Sequence, residues 1–399
     1  MIWFKNKLEG NLAYSLKKEY YKKYRVLIYC TKFINNIEKK ITSYRGTVLY
    51  TLKHCSIICA IMPASSIIQL IEFPEVKWVA RDTYCFLCGK DVHGANKIRF
   101  PERFKLTGRN ISIGVIDSGV YPHGDLITPF NRIKGFVDLV GEYRYPYDDY
   151  GHGTYVCGII GGNGSLSKGI YKGLAPEANF YCYKAFNSLG KAYSSAVLFA
   201  LESLIDTSKE HNIRVLCLPF ELYNSDFLIL EVFQKLFTIA AEKDLITIVP
   251  SGSNPNKEGT IEGIAALAEC ITVGGLDTTQ GIKSYCNSSC GPVNRGSKPD
   301  IAAAAVDICS LNTNKNYISE KKGMKLYPSS LSEPYTTFTG TSGACAYITG
   351  LCALILQERP ELKYKDIKAL LKVASNSCDL PRYQQGEGMV DIKKLFKEI

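Results

Sequence analysis

ISIGVIDSGVYPHGDL, residues 111–126, opens with a near-continuous apolar run that closes on Asp117, after which Ser118 and Gly119 turn the chain. A strand that is apolar on both faces must be covered on both, which is how the strands of a parallel sheet are placed. Five more runs of this kind follow: ANFYCYKAF (178–186), IRVLCLPF (213–220), LITIVPSG (245–252), CITVGGL (270–276) and DIAAAA (300–305). Helix-like segments fall between and after them, near 194–204, 226–242, 342–358 and 365–374. This alternation predicts an α/β domain from about Leu106 to the end of the chain, with a mostly parallel central sheet and helices on both faces. The polar stretch 311–336 reads as its long loop, and the sequence holds no internal repeat.

Two further segments place a reactive side chain beside glycines. In DDYGHGTYVCGIIGG (148–162), His152 sits between Gly151 and Gly153 and leads into a helix-compatible run. In FTGTSGACAYITGLCALIL (338–356), Gly340 and Thr341 lead into Ser342 at the head of a long apolar helix. Singly, an Asp ending a strand reads as a turn residue and a Thr-Ser before a helix as a cap. Together, in the order Asp, His, Ser, they supply what a serine nucleophile requires: an imidazole to take its proton and a carboxylate to orient and stabilise that imidazole. A helix beginning at the serine adds backbone N–H groups where an oxyanion would form.

From about Leu106 onward the chain resembles the subtilisin-like serine peptidases, family S8, and among them the intracellular type without a signal peptide. The resemblance rests on DSG at 117–119, GHGT at 151–154, GLAPEANFYCYKAF at 173–186, ITVGGLD at 271–277, KPDIAA at 298–303 and GTS at 340–342. It implies a three-layer subtilisin-like fold, with Asp117 orienting His152, His152 acting as general base and then general acid, and Ser342 attacking the scissile carbonyl of a peptide or protein substrate. An acyl-enzyme would follow, with no obligatory cofactor.

The surroundings of the trio depart from the family. The second oxyanion donor of subtilisins is an Asn side chain, but the matching stretch here runs Val249, Pro250, Ser251, Gly252, Ser253, Asn254. Ser253 takes the aligned place and Asn254 lies one further on, so both are oxyanion candidates; loss of that donor in a subtilisin costs roughly 10²–10³ in rate. One substrate edge carries Pro219, Phe220 and Glu221 in place of Ser-Leu-Gly, removing a backbone N–H. The other reads Gly190, Lys191, Ala192. These changes predict an endopeptidase of narrowed specificity or modest turnover; the alternative is a pseudoprotease-like regulatory or binding protein that keeps fold and trio.

Residues 24–82 show strand-like runs at 24–30, 45–55, 56–63 and 76–80 and helical spacing over 33–41 and 64–73. This is a βαββαβ order, a ferredoxin-like α+β module. It resembles the inhibitor-type propeptide of the family and would then be a partner of the catalytic domain within the same chain. Residues 1–23 read as a basic lead and 83–105 as a connector.

The chain has 399 residues and a formal net charge of +10. Residues 1–100 hold 17 Lys and Arg against 7 Asp and Glu, and the remainder hold 31 of each. With no nucleic-acid-reading motif beside it, this basic end fits a small module working on a larger neutral one, and no nucleic-acid partner is expected. No stretch reaches the ~20 apolar residues of a spanning helix, so no membrane partner is expected either. Fifteen cysteines without a secretory leader predict reduced thiols and a cytoplasmic location. Cys85 and Cys88 lack a second pair at zinc-site spacing, Cys286 and Cys290 have a different gap, and no metal site is expected. Asp148 and Asp149 are a weak Ca²⁺ pattern that reads as solvated carboxylates. Cys345, one turn beyond Ser342, reads as a core residue, and His54, His93, His123 and His211 as structural or exposed.

Overall fold

The computed structural model describes residues 7–52, 56–82, 92–96, 106–222, 227–293 and 297–398. They fall into two compact units, Met1–Phe86 and Leu87–Ile399.

The first unit contains α1 (Gly10–Lys17), β1 (Lys23–Cys30), α2 (Ile34–Ser43), β2 (Thr47–Leu52), β3 (Ile57–Pro63), α3 (Ala64–Leu70) and β4 (Val76–Arg81). Its antiparallel sheet runs β2-β3-β1-β4. Along β1 the side chains alternate, and Tyr24, Val26, Ile28 and Cys30 turn inward to meet Ile37 and Ile41 of α2 and Ile67 and Leu70 of α3. The basic lead is not separate from this module: Leu12 and Leu16 of α1 are buried in the same core.

The second unit begins with α4 (Val92–Ala95), inside the stretch read as a connector, where Asn96 Oδ1 accepts a hydrogen bond from Ala304 N at 2.9 Å. It continues through β5 (Ser112–Asp117), α5 (Gly124–Ile127), β6 (Ile133–Asp138), α6 (His152–Gly161), β7 (Asn179–Lys184), α7 (Ser194–Asp206), β8 (Ile213–Cys217), α8 (Phe227–Glu242), β9 (Ile246–Pro250) and β10 (Ile271–Asp277). There follow β11 (Lys283–Ser284), β12 (Ile301–Ala304), β13 (Ile308–Leu311), β14 (Glu320–Lys321), β15 (Met324–Lys325), β16 (Tyr335–Phe338), α9 (Thr341–Glu358), α10 (Tyr364–Val373), β17 (Ser375–Asn376), α11 (Arg382–Gln385), β18 (Met389–Val390) and α12 (Ile392–Glu398).

The main sheet runs β17-β18-β12-β10-β9-β8-β5-β7-β6, parallel from β18 to β6. Each apolar run of the sequence became one of its strands, and both faces are packed. Val115, Cys182, Cys217 and Ile248 join α6 and α9 in one core, while Ile116, Leu216 and Val249 join α7 and α8 on the other face. The stretch read as a long loop is partly ordered: β16 closes it by pairing with β13, and β14 and β15 form a hairpin within it.

Helix α9 is buried on all sides from Gly343 to Leu356, as a helix apolar around its whole circumference must be. Its approach to α6 depends on Gly350, where a Cβ would stand 2.9 Å from the Leu174 Cβ and 3.1 Å from the Ile160 carbonyl oxygen.

Candidate active site

The chain leaves β5 for β6 and β7 on one side and for β8 and β9 on the other, so β5 is the topological switch point, and a crevice opens beyond the carboxyl ends of such strands. A cavity of about 380 Å³ lies there. Asp117 ends β5, Phe186 follows β7, Pro219, Phe220 and Glu221 follow β8, Gly252 and Ser253 follow β9, and His152 and Ser342 head α6 and α9; all of them line it.

Asp117 is buried and its carboxylate grips His152 at both oxygens, 2.9 and 2.8 Å from Nδ1. Ser118 N donates to Asp117 Oδ1 at 2.6 Å and fixes the carboxylate in turn. This arrangement puts the Nδ1 proton toward Asp117 and leaves Nε2 as the basic nitrogen. Burial by itself would lower the imidazole pKa, but the charge and hydrogen bond of Asp117, with Asp148 behind it, hold it above the ordinary histidine value. The two elements come this close because residue 153 is glycine: a Cβ there would lie 2.1 Å from the Gly119 carbonyl oxygen and 3.0 Å from the Asp117 Cβ. The Phe338 ring and the imidazole meet in a T-shaped contact, with centroids 5.8 Å apart.

Ser342 shares the cavity with His152, but its hydroxyl donates to the Pro219 carbonyl oxygen at 2.9 Å. The expected succession of carboxylate, imidazole and hydroxyl is therefore formed in its first half only.

The two candidate oxyanion side chains are turned elsewhere. Ser253 N and Oγ both donate to the Glu221 carboxylate, the former at 2.8 Å. Asn254 Nδ2 donates to Thr260 O at 3.0 Å, inside its own loop. Of the two substrate edges, Pro219, Phe220, Glu221 and Gly190 line the cavity, whereas Lys191 and Ala192 do not. Lys191 N donates to Asn187 Oδ1 at 3.1 Å and Asn187 N to Lys191 O at 2.9 Å, a turn that closes on itself. Tyr150, Tyr285 and Asn287 also line the cavity without having been singled out in the sequence; Tyr150 stands two residues before His152, whereas no motif surrounds Tyr285 and Asn287, which only the folded chain brings here.

Of the carboxylate pair at 148–149, Asp148 is buried and built in, while Asp149 is half-buried. Asp148 accepts from Ser118 Oγ at 2.9 Å, from Gly151 N at 2.7 Å, and from Thr154 N and Oγ1 at 2.9 and 2.6 Å, which ties the first turn of α6 to the β5 turn. Asp149 pairs with the fully buried Lys184 at 2.6 Å. Among the described residues no three His, Cys, Asp or Glu side chains gather in a metal-holding group.

Cys345 is fully buried, and burial together with neighbouring Cys217 pushes its thiol well up, away from nucleophilic use. His123 is also buried; its Nδ1 accepts from Asp125 N and its Nε2 donates to Pro334 O, so it is a neutral cap of α5. His211 stacks on Tyr181, centroids 4.4 Å apart. Cys85, Cys88 and His54 lie outside the described residues, as does the side chain of His93.

A parallel sheet with a carboxylate-held imidazole and a helix-heading serine at its switch point defines a class of α/β hydrolytic site. The chain belongs to the subtilase family, whose model, that of peptidase S8, matches residues 108–390. Serine protease AprX of Bacillus subtilis (strain 168) is 34% identical over 279 residues, 67% of this chain and 61% of that protein. Subtilisin DY of Bacillus licheniformis is 25% identical over 291 residues, covering 72% of this chain and 90% of its own. The chain thus spans less than two thirds of AprX, and 26% of the subtilisin-like protease SBT6.1 of Arabidopsis thaliana. Among solved structures, sphericase superposes at a TM-score of 0.60 with 20% identity, covering 77% of this chain and 100% of that one. Fervidolysin from Fervidobacterium pennivorans, described as a keratinolytic enzyme, does so at 0.59 with 19% identity over 94% of this chain and 61% of that one. At that identity these two carry the fold alone.

Proposed function

We propose that the chain is a serine endopeptidase in which Asp117, His152 and Ser342 act as the catalytic triad on a peptide or protein substrate, with no cofactor required. The observation that carries this reading is the two-oxygen grip of Asp117 on His152 Nδ1 in the cavity that also holds Ser342. Catalysis begins with a rotation of Ser342 that takes its hydroxyl from Pro219 O to His152 Nε2. As Oγ attacks the scissile carbonyl, Nε2 accepts its proton and Asp117 stabilises the imidazolium. The same proton passes to the leaving amine, the C–N bond breaks and an ester to Ser342 remains. Water, deprotonated by His152, then attacks that ester, releasing the carboxylic acid and restoring the serine. The oxyanion is held by backbone N–H groups at the start of α9.

The N-terminal unit is proposed to be an inhibitor-type propeptide, released by cleavage within 82–105. Wild-type protein is expected to lose about a quarter of its length and Ser342→Ala to stay whole; equal masses would contradict the processing. A cytoplasmic location is supported by the twelve cysteines of the described residues, all thiols rather than half-cystines. No helix among the described residues is long and apolar enough to cross a membrane.

One observation favours a regulatory or binding role instead: Ser253 and Asn254 both spend their side chains on other partners. Hydrolysis of an unfolded protein by wild type, absent in Ser342→Ala and in His152→Ala, supports the peptidase. Equal and negligible hydrolysis by all three supports the binding protein.

A further inference from the structure

The two walls of the slot beside Ser342 are tied to the head of α9. Pro219 O accepts from Ser342 Oγ at 2.9 Å, and Gly252 O accepts from Thr341 Oγ1 at 3.2 Å. One charged side chain spans the two walls. Glu221, two residues beyond Pro219, takes both its hydrogen bonds from Ser253, and its Oε2 stands 3.0 Å from where a Cβ on Gly252 would lie. A substrate side chain entering beside the nucleophile meets this carboxylate.

We infer that Glu221 selects a lysine or arginine side chain on the substrate residue whose carbonyl is attacked. The inference rests on the peptidase reading above and adds the chemistry of its substrate. Among the described residues no Lys or Arg lines the cavity; the nearby Lys315 lies on the ring of Tyr150, 5.8 Å from its centroid. Of the two carboxylates among the described residues lining the cavity, Asp117 is committed to His152, which leaves Glu221 for an incoming cation. Each of its oxygens accepts one bond from Ser253 and keeps lone-pair capacity for an ammonium or guanidinium. Phe186 and Phe220, ring centroids 5.3 Å apart, provide an apolar flank for the methylene stem that a lysine or arginine extends before its charge. An acidic substrate side chain would be repelled at the same point.

The test is cleavage of a pool of peptides that differ only at one position, Lys, Arg, norleucine or Glu, by the wild-type chain and by Glu221→Gln, Glu221→Asp and Glu221→Lys. Labelling of Ser342 by a fluorophosphonate is scored in parallel. Wild type is expected to prefer Lys or Arg over norleucine by about fivefold in kcat/KM, the yield of one solvent-touched ion pair. The ratio is expected to approach unity in Glu221→Gln, to persist in Glu221→Asp and to turn toward Glu in Glu221→Lys. Labelling with cleavage that ignores the varied residue, or a basic preference untouched by Glu221→Gln, would overturn the inference alone. Absence of both labelling and cleavage would remove the peptidase reading, and this inference with it.

Discussion

The Ser342 hydroxyl donates to Pro219 O at 2.9 Å while the imidazole of His152, in the same cavity, is held from the opposite side by Asp117. Ser342 and His152 thus share one cavity while each holds another partner, and the proposed mechanism requires the serine side chain to turn from Pro219 O toward the imidazole. Catalytic hydrogen bonds commonly tighten only when substrate is bound.

The pH dependence follows from the base. His152 must be neutral to accept the serine proton, and its pKa is raised, so kcat/KM is expected to fall as pH drops through a value above the ordinary 6.5. Asp117→Asn removes the charge that raises it. The acid limb then moves to lower pH and kcat drops by about 10⁴. A limb at or below 6.5 in the wild type would contradict the role given to Asp117.

Gly153→Ala should act on geometry rather than charge. Its new Cβ would meet the Gly119 carbonyl and the Asp117 side chain, pushing the head of α6 off β5. A shift of about 1 Å costs on the order of 10² in rate. Steady-state kinetics should show the loss in kcat, with the thermal midpoint changed far less than activity.

Asp300 is a test of the scaffold remote from the chemistry. It is buried, bonded to Lys298 at 2.8 Å and approached by Lys372 at 2.9 Å and Lys368 at 3.3 Å. Burial would raise its pKa, but Lys298, then Lys368, and the hydrogen bond from Thr272 N hold it down at about 2. The stabilisation from this depressed pKa is present above the unfolded value of 3.8 and is lost as pH falls through about 2. Asp300→Ala strands the buried Lys298 ammonium and should cost about 3–5 kcal/mol, read as a lower urea midpoint.

Cys345→Ala should leave fluorophosphonate labelling in place, since the thiol is sealed in the core beneath Ser342. Loss of labelling in a variant that still folds would return the cysteine to consideration as nucleophile.

How far the sequence could be read follows from where each constraint acts. Six strands of the parallel sheet, β5, β7, β8, β9, β10 and β12, and the segments around Asp117, His152 and Ser342 are legible because burial on two faces and glycine-permitted close approach leave a local trace. β6, with only Ile133 and Asp138 buried, and β16, exposed along most of its length, carry no such pattern. The place of the lead before β1 is not legible, because the burial of Leu12 and Leu16 is decided by the sheet they meet rather than by a local pattern. The directions taken by Ser253 and Asn254 are not legible for a different reason. Which way a loop side chain points depends on partners such as Glu221 and Thr260 that become neighbours only in the folded chain.

Serine peptidase activity here requires Ser342 to be a nucleophile activated by His152. Intact mass and peptide mapping after exposure of the full chain to a fluorophosphonate address this directly. A single phosphonyl adduct on Ser342 is predicted, formed faster as pH rises through the His152 titration and abolished in His152→Ala. An unmodified Ser342 in folded, processed protein, or an adduct whose formation ignores His152, would contradict it.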